Sequence, residues 1–329
     1  MTKTVLIAGG AGYVGSHCTE AMAEAGFEIV VVDNLSNGHA AFAKWGEFVE
    51  CDIRDGEALQ RVFEMHKPSA VLHFAALIEV NGSQSDTTNY YDNNVAGAIN
   101  LIKHAEAAEV EAFVFSSTCA VYGIPQKIPL DEDQPFNPIS PYGRTKAMVE
   151  GVLGDLRTFR NFPATSLRYF NAAGSHWQSG IGERHQPETH AIPLAIHAAT
   201  GRRDGFKIFG TDYDTPDGTA IRDYIHVTDL ADAHVRAVAE LLDGGGGDVY
   251  NLGTGVGSSV RELVDLISDI SGKPFEVAEV ERRPGDPDRL IGDNTKAREK
   301  LGWVPQKSFR DVVESAWRWH TEVEPKVFG

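Results

Sequence analysis

A short apolar run, Thr4-Val5-Leu6-Ile7-Ala8, passes without a break into Gly9-Gly10-Ala11-Gly12-Tyr13-Val14-Gly15, and this junction constrains the fold more than any other part of the chain. The run has strand length and is continuously apolar, as a strand covered on both faces requires. Read from Gly10 the glycines satisfy G-x-G-x-x-G, and read from Gly9 they satisfy G-x-x-G-x-x-G. Glycines at those places allow a tight turn and a close helix–strand approach, and they expose the N–H groups of a helix N-terminus to a pyrophosphate. The pattern alone also fits a tight turn without a ligand. Asp33, at the end of the next apolar run and 18 residues beyond Gly15, tips the balance. A carboxylate there can accept hydrogen bonds from both hydroxyls of an adenosine ribose and repels a 2′-phosphate, so NAD is expected in preference to NADP.

The rest of the chain extends the same pattern. Strand-length apolar runs at 4–8, 29–33, 47–50, 70–74, 112–116 and 165–169 alternate with helical spacing over 14–25, 56–65, 90–108 and 141–159. This order predicts an α/β fold, a Rossmann-type doubly wound parallel sheet. From about Ala172 short helices and turn clusters take over, so a smaller mixed α/β C-terminal lobe is expected. The division is 1–172 for the dinucleotide domain and 173–329 for a substrate domain, with later segments packing back on the first. Gly244-Gly245-Gly246-Gly247 reads as a flexible link between a helix ending near Leu242 and a strand at 249–252.

Charge and cysteines narrow the function classes. There are 30 Lys and Arg against 47 Asp and Glu, a net charge of −17 spread along the chain, which disfavours nucleic acid and anionic membranes as partners. Any anionic ligand must be held by a local site. The three cysteines, Cys18, Cys51 and Cys119, have neither the even count of a disulfide framework nor the spacing of a zinc site, so a reducing, cytoplasmic setting and no metal are expected. No apolar stretch approaches the roughly 20 residues that span a bilayer, and the N-terminal run is too short for a signal segment.

A reactive group is legible further on. Tyr142 and Lys146 stand four apart behind Ser140-Pro141, which reads as an N-cap followed by proline in the first turn, so the pair shares one helical face. Tyrosine is a poor base at its usual value near 10, but a neighbouring cation favours the phenolate. Thr118, in Ser116-Ser117-Thr118 just past a strand, could hydrogen-bond the same substrate oxygen. Together these groups could take the proton of an alcohol whose carbinol hydrogen is transferred to a nicotinamide.

With these pieces in order the chain resembles the sugar-nucleotide epimerases of the extended short-chain dehydrogenase/reductase family. The matching strings include Gly9 to Ser16, Asp33-Asn34, Asp52-Ile53, Tyr90 to Val95, Phe115 to Thr118, Ser140 to Lys146, Arg168 to Asn171, Arg222 to His226 and Arg282 to Asp286. The resemblance implies a catalytic Tyr142, Lys146 and Thr118. It implies NAD contacts, tight and regenerated each cycle, from Gly9, Gly12, Tyr13, Val14, Gly15, Asp33, Asn34, Asp52, Ile53, Phe74, Ala75, Ala76, Asn93, Ser116 and Tyr169 as well as Tyr142 and Lys146. For a UDP-sugar partner it implies Thr118, Asn171, His190, Phe209, Arg222, Arg283, Asp286 and Leu290, with the arginines on the diphosphate, Phe209 against the uracil and Asp286 on ribose hydroxyls. The implied reaction is inversion of C4 of a UDP-hexose, glucose to galactose, through a transient 4-keto sugar. The implied assembly is a homodimer through the helices at 90–108 and 141–159.

Other activities share this scaffold. A 4,6-dehydratase of the same family carries an Asp-Glu pair after the threonine, and here Cys119-Ala120 follow Thr118. A net reductase and a non-catalytic NAD sensor fit less well with Asp33 and with the intact Tyr142, Lys146 and Thr118. Three departures bear on ligand detail: Ile78 stands where relatives carry lysine, Thr189-His190 where some carry two asparagines, and Leu290 where the side chain sets the room at sugar C2. Leucine is intermediate in size, so N-acetylated or pentose UDP-sugars stay open as alternatives.

Overall fold

The computed structural model describes residues 2–283 and 285–329. Seven strands form the central sheet: β1 (Thr4–Ala8), β2 (Glu28–Asp33), β3 (Glu47–Glu50), β4 (Ala70–His73), β5 (Ala112–Thr118), β6 (Ala164–Tyr169) and β7 (Val249–Leu252). Their order is β7-β6-β5-β4-β1-β2-β3, and every neighbouring pair is parallel. The order reverses between β1 and β4, where a doubly wound sheet opens a crevice at the carboxyl ends of its strands. Gly9 follows β1 and Phe74 follows β4, so both border that crevice.

The period-two alternation of the strands decides what lies on each face. Val5 and Ile7 point one way with Ile29, Val31 and Leu72, and are covered by Cys18 and Met22 of α1 (Tyr13–Glu24). Leu6 and Ala8 point the other way with Val30, Val32 and Val71, under Leu59 and Phe63 of α2 (Gly56–His66) and Leu101 and Ile102 of α3 (Ala98–Ala107). Val149 and Leu153 of α4 (Pro141–Arg160) complete that layer. The smaller lobe has its own apolar cluster, built from α5 (Ala191–Ala199), α7 (Val260–Ser271) and α8 (Phe309–Arg318) around the parallel pair Phe206–Phe209 and Val277–Val280. Between α5 and α7, helix α6 (Val227–Leu242) packs back on the main sheet through Leu230, Ala233 and Val238, and β7 joins its edge.

Three expectations are corrected. The predicted helix over 90–108 is a short helix at Thr87–Tyr91, a wide π turn over Asp92–Gly97, and then α3. A β-carbon on Gly97 would come within 2.9 Å of Ile53 Cδ1, so the turn passes close against the segment after β3. The four glycines at 244–247 are not a flexible link. Gly244 and Gly247 have φ of +91° and +75°, and a β-carbon on Gly247 would lie 2.0 Å from the Ala164 carbonyl oxygen, so they form a tight turn that seats β7 beside β6. Thr118 is the last residue of β5 rather than beyond it, because pairing with β6 continues to Thr118 opposite Tyr169.

Candidate active site

A cleft of about 420 Å³ runs along the crevice and turns under the smaller lobe. One end is the glycine turn. A β-carbon on Gly15 would lie 2.1 Å from the Gly9 carbonyl oxygen and one on Gly9, at φ +84°, would lie 2.4 Å from the Ala75 nitrogen, so both glycines are needed for the turn to close. Gly12 differs. A β-carbon there would meet only the Gly9 oxygen, at 3.3 Å, which leaves its outer face open in the cleft wall. Asp33 binds the turn from β2: its Oδ2 accepts from Ala11 N at 3.1 Å and its Oδ1 from Leu35 N at 2.8 Å. Burial pushes this carboxyl above its usual range, with the two backbone N–H groups opposing the shift. Turn, helix N-terminus and carboxylate fit a dinucleotide without any cation on its phosphates. Tyr13 Oη donates to the Gly174 carbonyl at 2.7 Å and ties this end to the smaller lobe.

The middle of the cleft holds the reactive group. Ser140 Oγ accepts from Gly143 N at 3.1 Å and proline occupies the first turn, so α4 starts as its sequence predicts. Tyr142 and Lys146 then both line the cleft, facing Ser116 and Thr118 at the end of β5. Lys146 is buried, donates from Nζ to the Ser116 carbonyl at 2.8 Å, and lies 4.8 Å over the Phe115 ring. Burial lowers its ammonium to about 7, against the pull of Glu150. Burial also raises the Tyr142 phenol, an effect partly offset by the Thr118 hydroxyl. Before ligands enter, Tyr142 is therefore neutral and Lys146 is poised to gain or lose a proton near neutrality. Ser116 Oγ is hydrogen-bonded to the Tyr169 hydroxyl on the neighbouring strand.

Behind this group lies a buried polar chain that sequence reasoning missed. Glu150, the next residue on the Tyr142–Lys146 face of α4, is gripped by Arg168 of β6 at 2.7 Å and also accepts from Ser117. Arg168 donates to Tyr122 Oη at 2.7 Å, and that hydroxyl donates to Asn251 of β7 at 2.7 Å. The only signal was the repeated spacing of four from Tyr142 through Lys146 to Glu150.

Nearly all the expected cofactor residues border the cleft: Gly9, Gly12, Tyr13, Val14, Gly15, Asp33, Asn34, Ile53, Phe74, Ala75, Ala76, Asn93, Ser116 and Tyr169. Asp52 does not. It is held by Arg54 at 2.8 Å and by Asn34 Nδ2 at 2.9 Å, and these contacts keep its carboxyl well below the usual range. Ser36, Asn37 and Gly38 border the cleft in its neighbourhood instead, and a β-carbon on Gly38 would sit 2.8 Å from Asp33 Oδ1. The Asn-Gly pair after β2 was the available signal.

At the other end Asn171, His190, Arg222 and Leu290 line the cleft, with Ile192 and Tyr224 beside them. Phe209, Arg283 and Asp286 stand one layer back. Arg283 stacks on the Phe209 ring at 3.9 Å, and the Asp286 carboxylate is paired with Arg222. His190 Nδ1 is engaged by Glu183 at 2.9 Å and Glu188 at 3.1 Å. Burial disfavours its charge, yet the two carboxylates win and hold the imidazole well above its ordinary value. Glu183 and His185, which also line the cleft, went unnoticed because their spacing follows neither helix nor strand.

With that geometry established, the sequence profile of the NAD dependent epimerase/dehydratase family matches residues 5–253, from β1 through β7. The chain belongs to this family. Within it, a UDP-glucose 4-epimerase of Rhizobium leguminosarum bv. trifolii is 55% identical over 320 residues, covering 97% of this chain and 98% of the relative. The structure of UDP-glucose 4-epimerase from Brucella ovis in complex with NAD has a TM-score of 0.93 at 46% identity, covering 96% of this chain and 98% of that one. The enzyme from Bifidobacterium longum in complex with NAD⁺ and UDP has a TM-score of 0.92 at 35% identity, covering 99% and 100%. NAD is the family's cofactor.

Proposed function

We propose that the chain is an NAD-dependent 4-epimerase that interconverts UDP-glucose and UDP-galactose. The observation that carries this reading is one continuous cleft. It has the glycine turn and Asp33 at one end, Tyr142, Lys146 and Thr118 in the middle, and Asn171 and Arg222 at the other. When bound, NAD supplies a reversible two-electron acceptor for the carbinol carbon.

Each step assigned to the protein follows from where its groups stand. Tyr142, a neutral phenol on its own, would lose its proton once the Lys146 ammonium and the positive charge of a bound nicotinamide favour the phenolate; its Oη then accepts the proton of the sugar hydroxyl and later returns it. Lys146, fixed by Ser116 and kept from collapsing onto a carboxylate because Arg168 holds Glu150, lends its charge to the phenolate. Thr118 orients the same oxygen. Arg222 is freed from Asp286 as the diphosphate enters, since a permanently charged guanidinium suits two phosphate oxygens at once. With the nucleotide anchored at that end, the sugar can turn over and present its opposite face. Among the described residues, the carboxylates lining the cleft are Asp33, far from Tyr142 along the sheet, and Glu183, which is taken by His185 and His190. An epimerase needs no further acid, whereas expulsion of water from a neighbouring carbon does.

Two finer points belong to the same proposal. Met148 and Phe159 are exposed on α4, which suits the homodimer expected through that helix. All three cysteines are free and buried, which suits a reducing, cytoplasmic location. No helix among the described residues is long and apolar enough to cross a membrane. Incubation with UDP-galactose, UDP-N-acetylgalactosamine and UDP-arabinose, followed by chromatography of the products, tests the assignment. Rapid formation of UDP-glucose from the first is expected, and absence of turnover with UDP-galactose would reject it.

A further inference from the structure

Opposite the glycine turn, the loop that leads into α5 gathers Glu183, His185, Glu188 and His190, with one donor atom from each lying within 4.8 Å of all the others. The nearest measured pairs are His190 Nδ1 to Glu183 Oε1 at 2.9 Å and to Glu188 Oε1 at 3.1 Å, and His185 Nδ1 to Glu183 Oε1 at 3.3 Å and to Glu188 Oε2 at 3.8 Å. Four nitrogen and oxygen ligands at zinc bond lengths stand roughly 3.3–3.6 Å apart in a tetrahedron. These four separations, taken over both Glu188 oxygens, lie on either side of that value, and one donor atom per residue stays within 4.8 Å of the rest. We propose that Glu183, His185, Glu188 and His190 form a closed, four-coordinate site for a divalent transition metal, with zinc as the best match.

Three further observations separate this arrangement from an ordinary set of ion pairs. His185 Nδ1 is buried and makes no hydrogen bond, although a carboxylate oxygen lies 3.3 Å away, so the nitrogen is aimed beside that oxygen rather than along it. A nitrogen directed to a shared centre has this geometry. Second, among the described residues neither carboxylate is paired with lysine or arginine. Arg184, between two of the ligands, turns away to Glu324 at 3.1 Å and stacks on Phe328 at 4.2 Å. Metal binding would displace the imidazole protons that the carboxylates now favour, and the two carboxylates would then carry two negative charges, which one divalent cation balances. Third, the set is braced from outside, as ligand sets are. Glu188 Oε1 accepts from the backbone N–H groups of Thr189 at 2.8 Å and His190 at 2.9 Å, and the Glu183 carbonyl accepts from Trp319 Nε1 at 2.8 Å.

The donor set of two imidazoles and two carboxylates, without thiolate, selects zinc or a similar borderline cation over calcium or magnesium, which take oxygen alone. Four protein ligands leave no open position, so the role is structural. The site would clamp the 183–190 loop, whose Glu183, His185 and His190 form one wall of the cleft. This inference stands apart from the epimerase reading and does not rest on it.

The test uses the full-length protein, free of any histidine tag. It is dialysed against chelator, loaded with zinc chloride, desalted, and assayed for metal by mass spectrometry alongside Glu183→Gln and His185→Gln. One retained zinc per wild-type chain, and at least a tenfold loss of affinity in each variant by competition with a chromogenic chelator, are expected. Cobalt(II) loaded into the wild-type protein should give the intense visible spectrum of a four-coordinate ion, and the same spectrum in His197→Gln places the ion at this cluster even where a variant of the 183–190 loop folds poorly. A wild-type chain that retains no zinc, a weak six-coordinate cobalt spectrum, or folded variants that hold zinc as tightly as the wild type would overturn the proposal. The last result would move any bound metal to another cluster, such as His197, His320 and Glu324.

Discussion

Replacing Gly12 by alanine separates the cofactor role of the glycine turn from its role in the fold. Gly12 has φ −82° and ψ 178°, a conformation that alanine adopts without strain, and its added β-carbon would meet a single atom, the Gly9 oxygen, at 3.3 Å. The cost to the fold is therefore under about 1 kcal/mol, and reduced freedom of the unfolded chain offsets part of it. The methyl group does project into the cleft, over the helix N-terminus where the pyrophosphate belongs. Displacing the phosphates by one methyl group breaks at least one charge-assisted hydrogen bond, about 1.5–3 kcal/mol, or roughly 10- to 150-fold in Kd. Gly15→Ala is the contrasting case. Its β-carbon would lie 2.1 Å from the Gly9 oxygen, so helix and turn must separate, at about 1–3 kcal/mol to the fold itself. Urea unfolding together with NAD content after purification distinguishes the two. Compared after removal of cofactor, Gly12→Ala should unfold with the NAD-free wild type while purifying with little NAD, and Gly15→Ala should lose both stability and cofactor. A Gly12→Ala protein that keeps a full complement of NAD would refute the placement of the pyrophosphate on this turn.

Three other substitutions probe the site. Tyr142→Phe should keep NAD and UDP binding and lower kcat by about 10²- to 10⁴-fold in steady-state assays, the range for loss of a general base, and near-normal turnover would reject that role. Lys146→Met bears on pH. Because burial lowers the folded-state value of Lys146 to about 7, the NAD-free wild-type protein bears the cost of a buried charge in full below pH 7 and sheds it as pH rises towards the ordinary lysine value. Denaturant unfolding should accordingly show the methionine variant most favoured below pH 7, with its advantage shrinking by pH 9, and a pH-independent difference contradicts the assignment. Glu150→Gln leaves Arg168 buried without its carboxylate and should cost about 3–5 kcal/mol in the same assay, whereas a loss below 1 kcal/mol would show that the pair is dispensable.

Local chemistry was legible in the sequence wherever it was also contiguous. The glycine turn, Asp33, and the spacing of Tyr142 and Lys146 behind a serine cap are each set by one segment, and each lies where the periodicity placed it. What escaped depends on segments that meet only in the folded chain. Glu150 acquires its meaning from Arg168, and Arg168 from Tyr122 and Asn251, which the parallel sheet brings together from positions over a hundred residues apart. The π turn at Asp92–Gly97 arises from the close approach to Ile53 and has no local signature. Glycines at 244–247 suggest flexibility by composition, but the sheet edge beside Ala164 makes Gly247 sterically required, and Gly244 stands at φ +91°. The pairing of Asp286 with Arg222 and the stacking of Arg283 on Phe209 join segments far apart in the chain, which motif spacing does not encode.

The central claim is that one hydrogen leaves C4 of the sugar and returns to the opposite face without escaping the cleft. UDP-galactose carrying deuterium at C4, incubated with the purified protein in ordinary water and without added NAD, tests this directly by mass spectrometry and proton NMR of the product. UDP-glucose with deuterium retained at C4 is the predicted result, and loss of the label to solvent, or no conversion until NAD is supplied, would contradict it.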